Sequence, residues 1–371
     1  MRRQQLPILD TFKSGLKLAH ERKASDLHAS AGGPLRLRVH GEVEPIARSP
    51  ALTAADTAEI TAEILINAKK ATRETVAEVM RQLTEVDCSY SLPGLGRFRA
   101  NLCVQRGSFA AVLRGIPDVI PTFEQLSLPP VLGDIALEER GLILVSGTTG
   151  SGKSSTLASM VDYINRRRKK KIITIEDPIE FLHRDIESIV IQREVGTDTQ
   201  GFEPALRAAL RQDPDIILIG EMRDRITVDV SLQAAETGHL ILATVHTTDS
   251  VRGVTRFASV FEPSEQLGVR KRLSEVLRAM VSQRLLPRAD GVGQVLAVEV
   301  MRHTSAVEEC IADPDKTSEI VKLIEDGHQM YGTQSFDQNL RDLHNKGLIT
   351  LEVAMAAATS PEDFQRNLDF S

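Results

Sequence analysis

The sequence predicts an α/β protein in two parts, a small α+β N-terminal domain and a larger domain built on a mostly parallel sheet. Three observations predict it. From Gly141 onward, the short apolar runs "GLILVSG", "KIITIED", "DIILIGE" and "HLILATVH" alternate with helix-length segments, the pattern of a parallel sheet covered by helices. Residues 1–115 instead alternate amphipathic helices with groups of short strands. Between the two, residues 116–135 are rich in proline and read as a linker with a short helix. The larger domain then runs over residues 136–371.

The elements follow in order. "QQLPILDTFKSGLKLAHERKA" has apolar residues at helical spacing. "SDLHASAGGPLRLRVHGEVEPI" predicts strands around a Gly-Gly-Pro turn, because Leu35, Leu37 and Val39 alternate with Arg36, Arg38 and His40. Residues 51–83 are again helical. "CSYSLPGLGRFRANLCVQRGSFAAVLRGIP" predicts strands joined by a Pro-Gly turn. In the larger domain the four apolar runs are strands with helices between them. After Pro263, "EQLGVRKRLSEVLRAMVSQRLL" predicts a helix, and with the segments after Asp315 it suggests a helical C-terminal lobe over about residues 290–371. No internal repeat is visible.

Composition narrows the function. Tryptophan is absent and aromatics make up 4% of 371 residues, which argues against a stacking platform for single-stranded nucleic acid. A net charge of −6 provides no basic field toward DNA or membrane. Cys88, Cys103 and Cys310 are far apart, so they suggest neither a disulfide framework nor a CxxC pair and fit a reducing cytoplasm. The start "MRRQQLPILDTFKSG" lacks the apolar core of a secretory signal, and no apolar run approaches the ~20 residues of a membrane span. "RRRKKK", Arg166–Lys171, reads best as a solvated end of a helix that complements its dipole. His28 and His40 have no partner set for a metal and read as surface or packing residues.

"GTTGSGKS", Gly147–Ser154, fits G-x-x-x-x-G-K-[ST] and sits between an apolar strand and a helix, "SSTLASMVDYI", as a phosphate loop must. Its glycines let backbone N–H groups turn onto phosphate oxygens, and the helix N-terminus adds its positive dipole end. The expected nucleotide-binding residues are Thr148, Thr149, Gly150, Ser151, Gly152, Lys153, Ser154 and Ser155. Lys153 would reach the β- and γ-phosphates and Ser154 would hold Mg²⁺. No guanine-reading NKxD segment is visible, which favours ATP.

Two strands end in acids. "IITIEDPIE" offers Glu176, Asp177 and Glu180, and "IILIGEMRD" offers Glu221 and Asp224. In open α/β sheets ligands bind beyond the C-terminal strand ends. Glu176 and Glu221 therefore point toward the nucleotide edge, and Glu221 can hold Mg²⁺ through water or polarise the attacking water. One strand-end carboxylate alone suits a helix cap or surface ion pair equally well. Two such ends after a phosphate loop favour chemistry. "TGHLILATVHTTDS" places His239 and His246 at the two ends of a strand, seven residues and on the order of 20 Å apart. They cannot share a metal. His246 falls at the nucleotide end and His239 far from it. The plain alternative is two satisfied core histidines.

The order "GTTGSGKSS", "ITIEDPIEF", "DPDIILIGEMRD" and "AAETGHLILATVHTTDS" resembles the secretion ATPase superfamily, and within it the PilT-type ATPases of type IV pili. "SDLH", "RVHGEVEPI", "GLGRFRAN" and "QREVGTDTQGFEPALRAALRQDPD" extend the likeness over nearly the whole chain. The resemblance implies a cytoplasmic hexameric ATPase with a PAS-like N-terminal domain and a RecA-like C-terminal domain, binding Mg²⁺ and ATP between them. It would be peripheral to the inner membrane through a pilus platform protein and would power retraction in twitching motility. By position it implies Glu180 and Glu221 as catalytic carboxylates, with Glu176 beside them. The resemblance likewise implies His239 and His246 as the histidine-box residues, and Arg99 and Arg114, with Arg97 a further candidate, as the positive charge that completes the site. Extension-type relatives carry a four-cysteine zinc site and a long extra N-terminal domain; with three scattered cysteines this chain is expected to have neither, which favours the retraction branch. The segment aligned with the retraction-linked "AIRNLIRE" reads "AVEECIAD", Ala306–Asp313, with Glu308 and Ala312 where arginines stand. "GTQSFDQNL" leans toward the paralogous PilU type. The rival readings are thus an accessory PilU-like ring acting with a partner pilus ATPase and, disfavoured by charge, a RecA-like nucleic-acid translocase.

Overall fold

The structure, a computed structural model, describes residues 7–39, 41–117 and 119–369. His40 and the first residues of the expected N-terminal helix, Gln4–Leu6, lie outside them. The chain divides into two compact units, Met1–Val119 with Glu180–Leu182, and Ile120–Ile179 with His183–Ser371.

In the first unit α1 (Ile8–Glu21) precedes β1 (Asp26–Ser30), β2 (Arg36–Val39) and β3 (Glu42–Pro45). Then come α2 (Ala54–Asn67), α3 (Val76–Gln82), β4 (Glu85–Leu92), β5 (Gly96–Gln105) and β6 (Ser108–Gly115). The region expected as helix over residues 51–83 is therefore two helices. The first starts at a capping box in which the Thr53 hydroxyl takes the Asp56 N–H and the Asp56 carboxylate takes the Thr53 N–H. The strands form one antiparallel sheet in the order β3-β2-β1-β6-β5-β4. Phe98, Ala100 and Leu102 are buried at alternate positions, as one-sided packing requires. That face meets Phe12 and Leu16 of α1 and Ile60 and Ile64 of α2.

The second unit begins with α4 (Val131–Ala136), β7 (Gly141–Ser146), α5 (Lys153–Asn165) and β8 (Lys171–Glu176). It continues with β9 (Ile189–Glu194), α6 (Phe202–Ala209), β10 (Ile216–Ile219), α7 (Arg225–Glu236), β11 (Leu240–Val245), α8 (Ser250–Ser259), α9 (Gln266–Val276), β12 (Leu277–Pro287) and β13 (Gln294–Arg302). It closes with α10 (Ser305–Ala312), a 3-10 turn at Pro314–Glu319, α11 (Ile320–Asp326), α12 (His328–Tyr331), α13 (Phe336–Asn345), α14 (Leu351–Ala357) and α15 (Pro361–Asp369). The sheet order is β13-β12-β7-β11-β10-β8-β9, parallel except for the β12–β13 pair. Every residue of β7, β10 and β11 is buried, because helices cover both faces. The four strands expected from the apolar runs are all present.

The helix expected over "EQLGVRKRLSEVLRAMVSQRLL" is a correction. It ends at Val276, and Leu277–Pro287 is strand β12. Its apolar residues suit either period, and the decision is tertiary: β12 adds in parallel to β7, and β13 closes antiparallel against it. The C-terminal lobe is helical from Ser305 onward, while Gln294–Arg302 belongs to the sheet. Strand β9 was not foreseen.

Candidate functional site

Parallel register brings the strand ends together. Ser146 of β7 pairs with Val245 of β11, and Ala243 of β11 pairs with Ile219 of β10. The residues that follow, Gly147, His246 and the Gly220–Glu221 step, therefore emerge side by side. Two further bonds set Glu221: the Thr244 hydroxyl donates to Gly220 O at 2.5 Å, and Met222 N–H to Thr244 O at 3.1 Å.

The phosphate loop leaves β7 and enters α5 with Gly152 left-handed at its N-cap, φ 87°. Gly147 is required by its surroundings. Its φ is 150°, and a Cβ there would lie 2.7 Å from Gln283 O. Lys153 is buried, and its ammonium donates to Gly147 O at 2.8 Å and Thr148 O at 2.9 Å, so it is held over the loop. Thr148, Thr149 and Gly150 are exposed, Ser154 and Ser155 half-buried. The Ser151 hydroxyl is buried with no protein hydrogen-bond partner. Ser154 and Glu221 offer hard oxygen donors of the kind Mg²⁺ prefers, so the donor set fits that ion.

Glu221 Oε1 lies 2.9 Å from His246 Nε2 and also pairs with Arg223. Burial and the Lys153 charge push the His246 imidazole below the usual histidine range, against the pull of Glu221. The Asp177 charge acts on Arg223, which brings the end of β8 into the same field. Lys153, Glu221, His246 and Arg223 thus form one electrostatic cluster.

Within the second unit, Glu176, His239 and Asp224 have other partners. Glu176 Oε1 accepts from Thr174 Oγ1 at 2.5 Å and Gln192 Nε2 at 3.1 Å, toward β9. Glu180 is exposed and irregular in backbone, just after Ile179, whose N–H is held by the buried Glu194 carboxylate at 3.1 Å. His239 lies just before β11 at the opposite sheet edge, its Nδ1 3.0 Å from Ala234 O and 3.4 Å from Thr237 Oγ1. Arg99 and Arg114 are register partners on β5 and β6 of the first unit. Arg99 Nε is 3.9 Å from Asp87, and Arg114 Nε 2.9 Å from buried Asp26. Arg97 lies two residues before Arg99 on β5. Asp224 caps α7 through Thr227 N–H at 2.9 Å.

Sequence reading missed Arg223, Glu194 and Gln283, whose amide donates to Thr156 Oγ1 at 2.6 Å. Arg223 adjoins a recognised acid, which is a usable signal. Gln283 gave none while its segment was read as helix. The basic run at the end of α5 is engaged: Arg166 pairs with Asp162, Arg167 stacks 3.7 Å over Tyr163, Arg168 pairs with Glu139, and Lys170 with Asp215.

A glycine loop that fixes a lysine, together with an acid at the end of β10 in the same parallel sheet, makes the chain a P-loop nucleoside triphosphatase. The type II/IV secretion system protein family matches residues 122–353. The type IV pilus retraction ATPase PilT of Pseudomonas aeruginosa is 42% identical, over 94% of this chain and 98% of its own. The type IV pilus ATPase PilU of the same organism is 39% identical, over 95% and 90%. A crystal structure of the pilus retraction motor PilT with bound ADP, 42% identical, superposes with a TM-score of 0.86 over 98% of this chain and all of that one. The ATPase DotB of Legionella pneumophila, at 24% identity and TM-score 0.79 over 95% and 96%, shares the fold. The chain belongs to the type II/IV secretion system protein family.

Proposed function

We propose that the chain is a motor ATPase that hydrolyses Mg·ATP to drive type IV pilus retraction. The observation that carries the chemistry is the Glu221–His246 contact beside the Lys153 loop. Glu221 orients and deprotonates the attacking water, and Lys153 offsets charge on the phosphates. His246 holds Glu221 in place. Ser154, and Glu221 through water, would hold Mg²⁺, which neutralises charge on the β- and γ-phosphates. Glu180 is the second carboxylate and Glu176 orders the acidic segment. Arg97, Arg99 and Arg114 supply positive charge to the transferred group. His239 links hydrolysis to a distant contact. The working form is a homo-hexamer in the cytoplasm, reaching the inner membrane through a platform protein; no helix among the described residues is long and apolar enough to cross a membrane.

Glu221→Gln tests the chemistry. Steady-state turnover should fall by about 100-fold or more with ADP affinity retained. Undiminished turnover would remove Glu221 from its role. A second reading, an accessory ring beside a partner motor, is favoured by α10, where Glu308 lies 3.4 Å from His303 in the place of a retraction-linked arginine. Complementation of a retraction-defective strain separates the two, since an accessory ring cannot restore retraction without its partner motor.

A further inference from the structure

Glu299 lies on β13 and is only 7% exposed. Its Oε1 accepts from Ser250 N–H at 2.8 Å, Ser250 Oγ at 2.8 Å and Ser282 Oγ at 3.2 Å. Burial pushes its carboxyl up, while the Ser250 bonds pull the other way. A buried carboxylate is costly even when hydrogen-bonded, and an apolar residue of similar volume is often as stable in its place. Stability alone therefore does not account for a glutamate here.

Its partners indicate a role. Ser250 is the first residue of α8, four residues after His246. The turn that carries His246 is thus tied at one end to β11 and at the other to Glu299. Asp249 secures the same end by capping α8 through Arg252 N–H at 2.8 Å. Within the turn, Thr247 Oγ1 is buried with no hydrogen-bond partner in the protein, so its own side chain does little to fix it. Ser282 is the register partner of Glu299 on one side and of Ser146 on the other. One row across three strands therefore runs from Glu299 to the residue that precedes Gly147.

We infer that Glu299 is a positioning residue for hydrolysis: it ties the His246 turn to the row from which the phosphate loop departs, so that His246 meets Glu221. This rests on the ATPase reading of that pair. Steady-state kinetics with Mg·ATP and binding of a fluorescent ADP analogue, on the purified full chain, test it. Glu299→Leu should lower kcat by about tenfold or more while ADP affinity changes less than about twofold. Glu299→Gln, which keeps an acceptor in place, should restore kcat to within about threefold of the parent. Combining Glu299→Leu with His246→Ala should be no slower than His246→Ala alone. A purely structural role would lower Tm and leave kcat per folded molecule unchanged. Parental kcat in Glu299→Leu beside a slow His246→Ala, or additive losses in the double variant, would overturn the inference. Parental kcat in His246→Ala would overturn the reading beneath it. If Glu299→Leu does not fold, Ser250→Ala carries the test: a loss of about threefold in kcat with unchanged ADP affinity supports the tie, and unchanged kcat refutes it.

Discussion

His183 shows how burial alone sets a titration. Its imidazole is pushed down to about 4 by burial, outweighing the opposing pull of Asp162, and Nδ1 has no hydrogen-bond partner in the protein. The unfolded chain takes up this proton near pH 6.5, and the folded chain only near 4. Between those values the unfolded state binds more protons, so stability falls as pH falls. The contribution is complete above about 6.5 and is lost on descending through 4, amounting to about 3 kcal/mol there. His183→Phe should flatten the dependence of Tm on pH across this window. An unchanged slope would show that His183 does not carry it. At this scale the sequence was partly legible. Glu221 and His246 could be named because each follows a recognisable strand. Glu194 and Glu299 could not, because a charged residue in isolation does not reveal what it will be folded against.

Gly147 belongs to the loop rather than to itself. Its backbone is left-handed and a Cβ would meet main-chain oxygen on β12, which cannot swing away as a side chain can. Gly147→Ala should destabilise the domain by about 1–3 kcal/mol and weaken ADP binding by about tenfold or more. ADP affinity equal to the parent would show that the loop tolerates the shift. The legibility of elements follows the same logic of neighbours. β7, β8, β10 and β11 were readable because strands covered on both faces are near-continuous apolar runs. β12 was misread because polar Ser282, Gln283 and Arg284 interrupt its apolar residues at a spacing that a helix also permits. Those polar residues are in place for β13, the phosphate loop and α13: Arg284 stacks 3.9 Å over Phe336.

At the scale of the molecule, the motor reading predicts a particle of six 40.8-kDa chains in the presence of Mg²⁺ and a non-hydrolysable ATP analogue. Light scattering after size exclusion measures it, and a monomer at micromolar concentration under those conditions would refute the ring. The order of four motifs along the sequence was enough to name the family, since motif order and spacing survive in a linear string. The sequence by itself determined the phosphate loop, the acids that end two strands, and the separation of His239 from His246, all of which depend on local spacing along one strand or one turn. Only the tertiary structure decided that Leu277–Pro287 joins the sheet, that Glu176 turns toward Gln192, and that Glu221, His246 and Lys153 share one field. These depend on register between strands distant in sequence, where hydrogen bonding and burial on both faces outweigh local propensity.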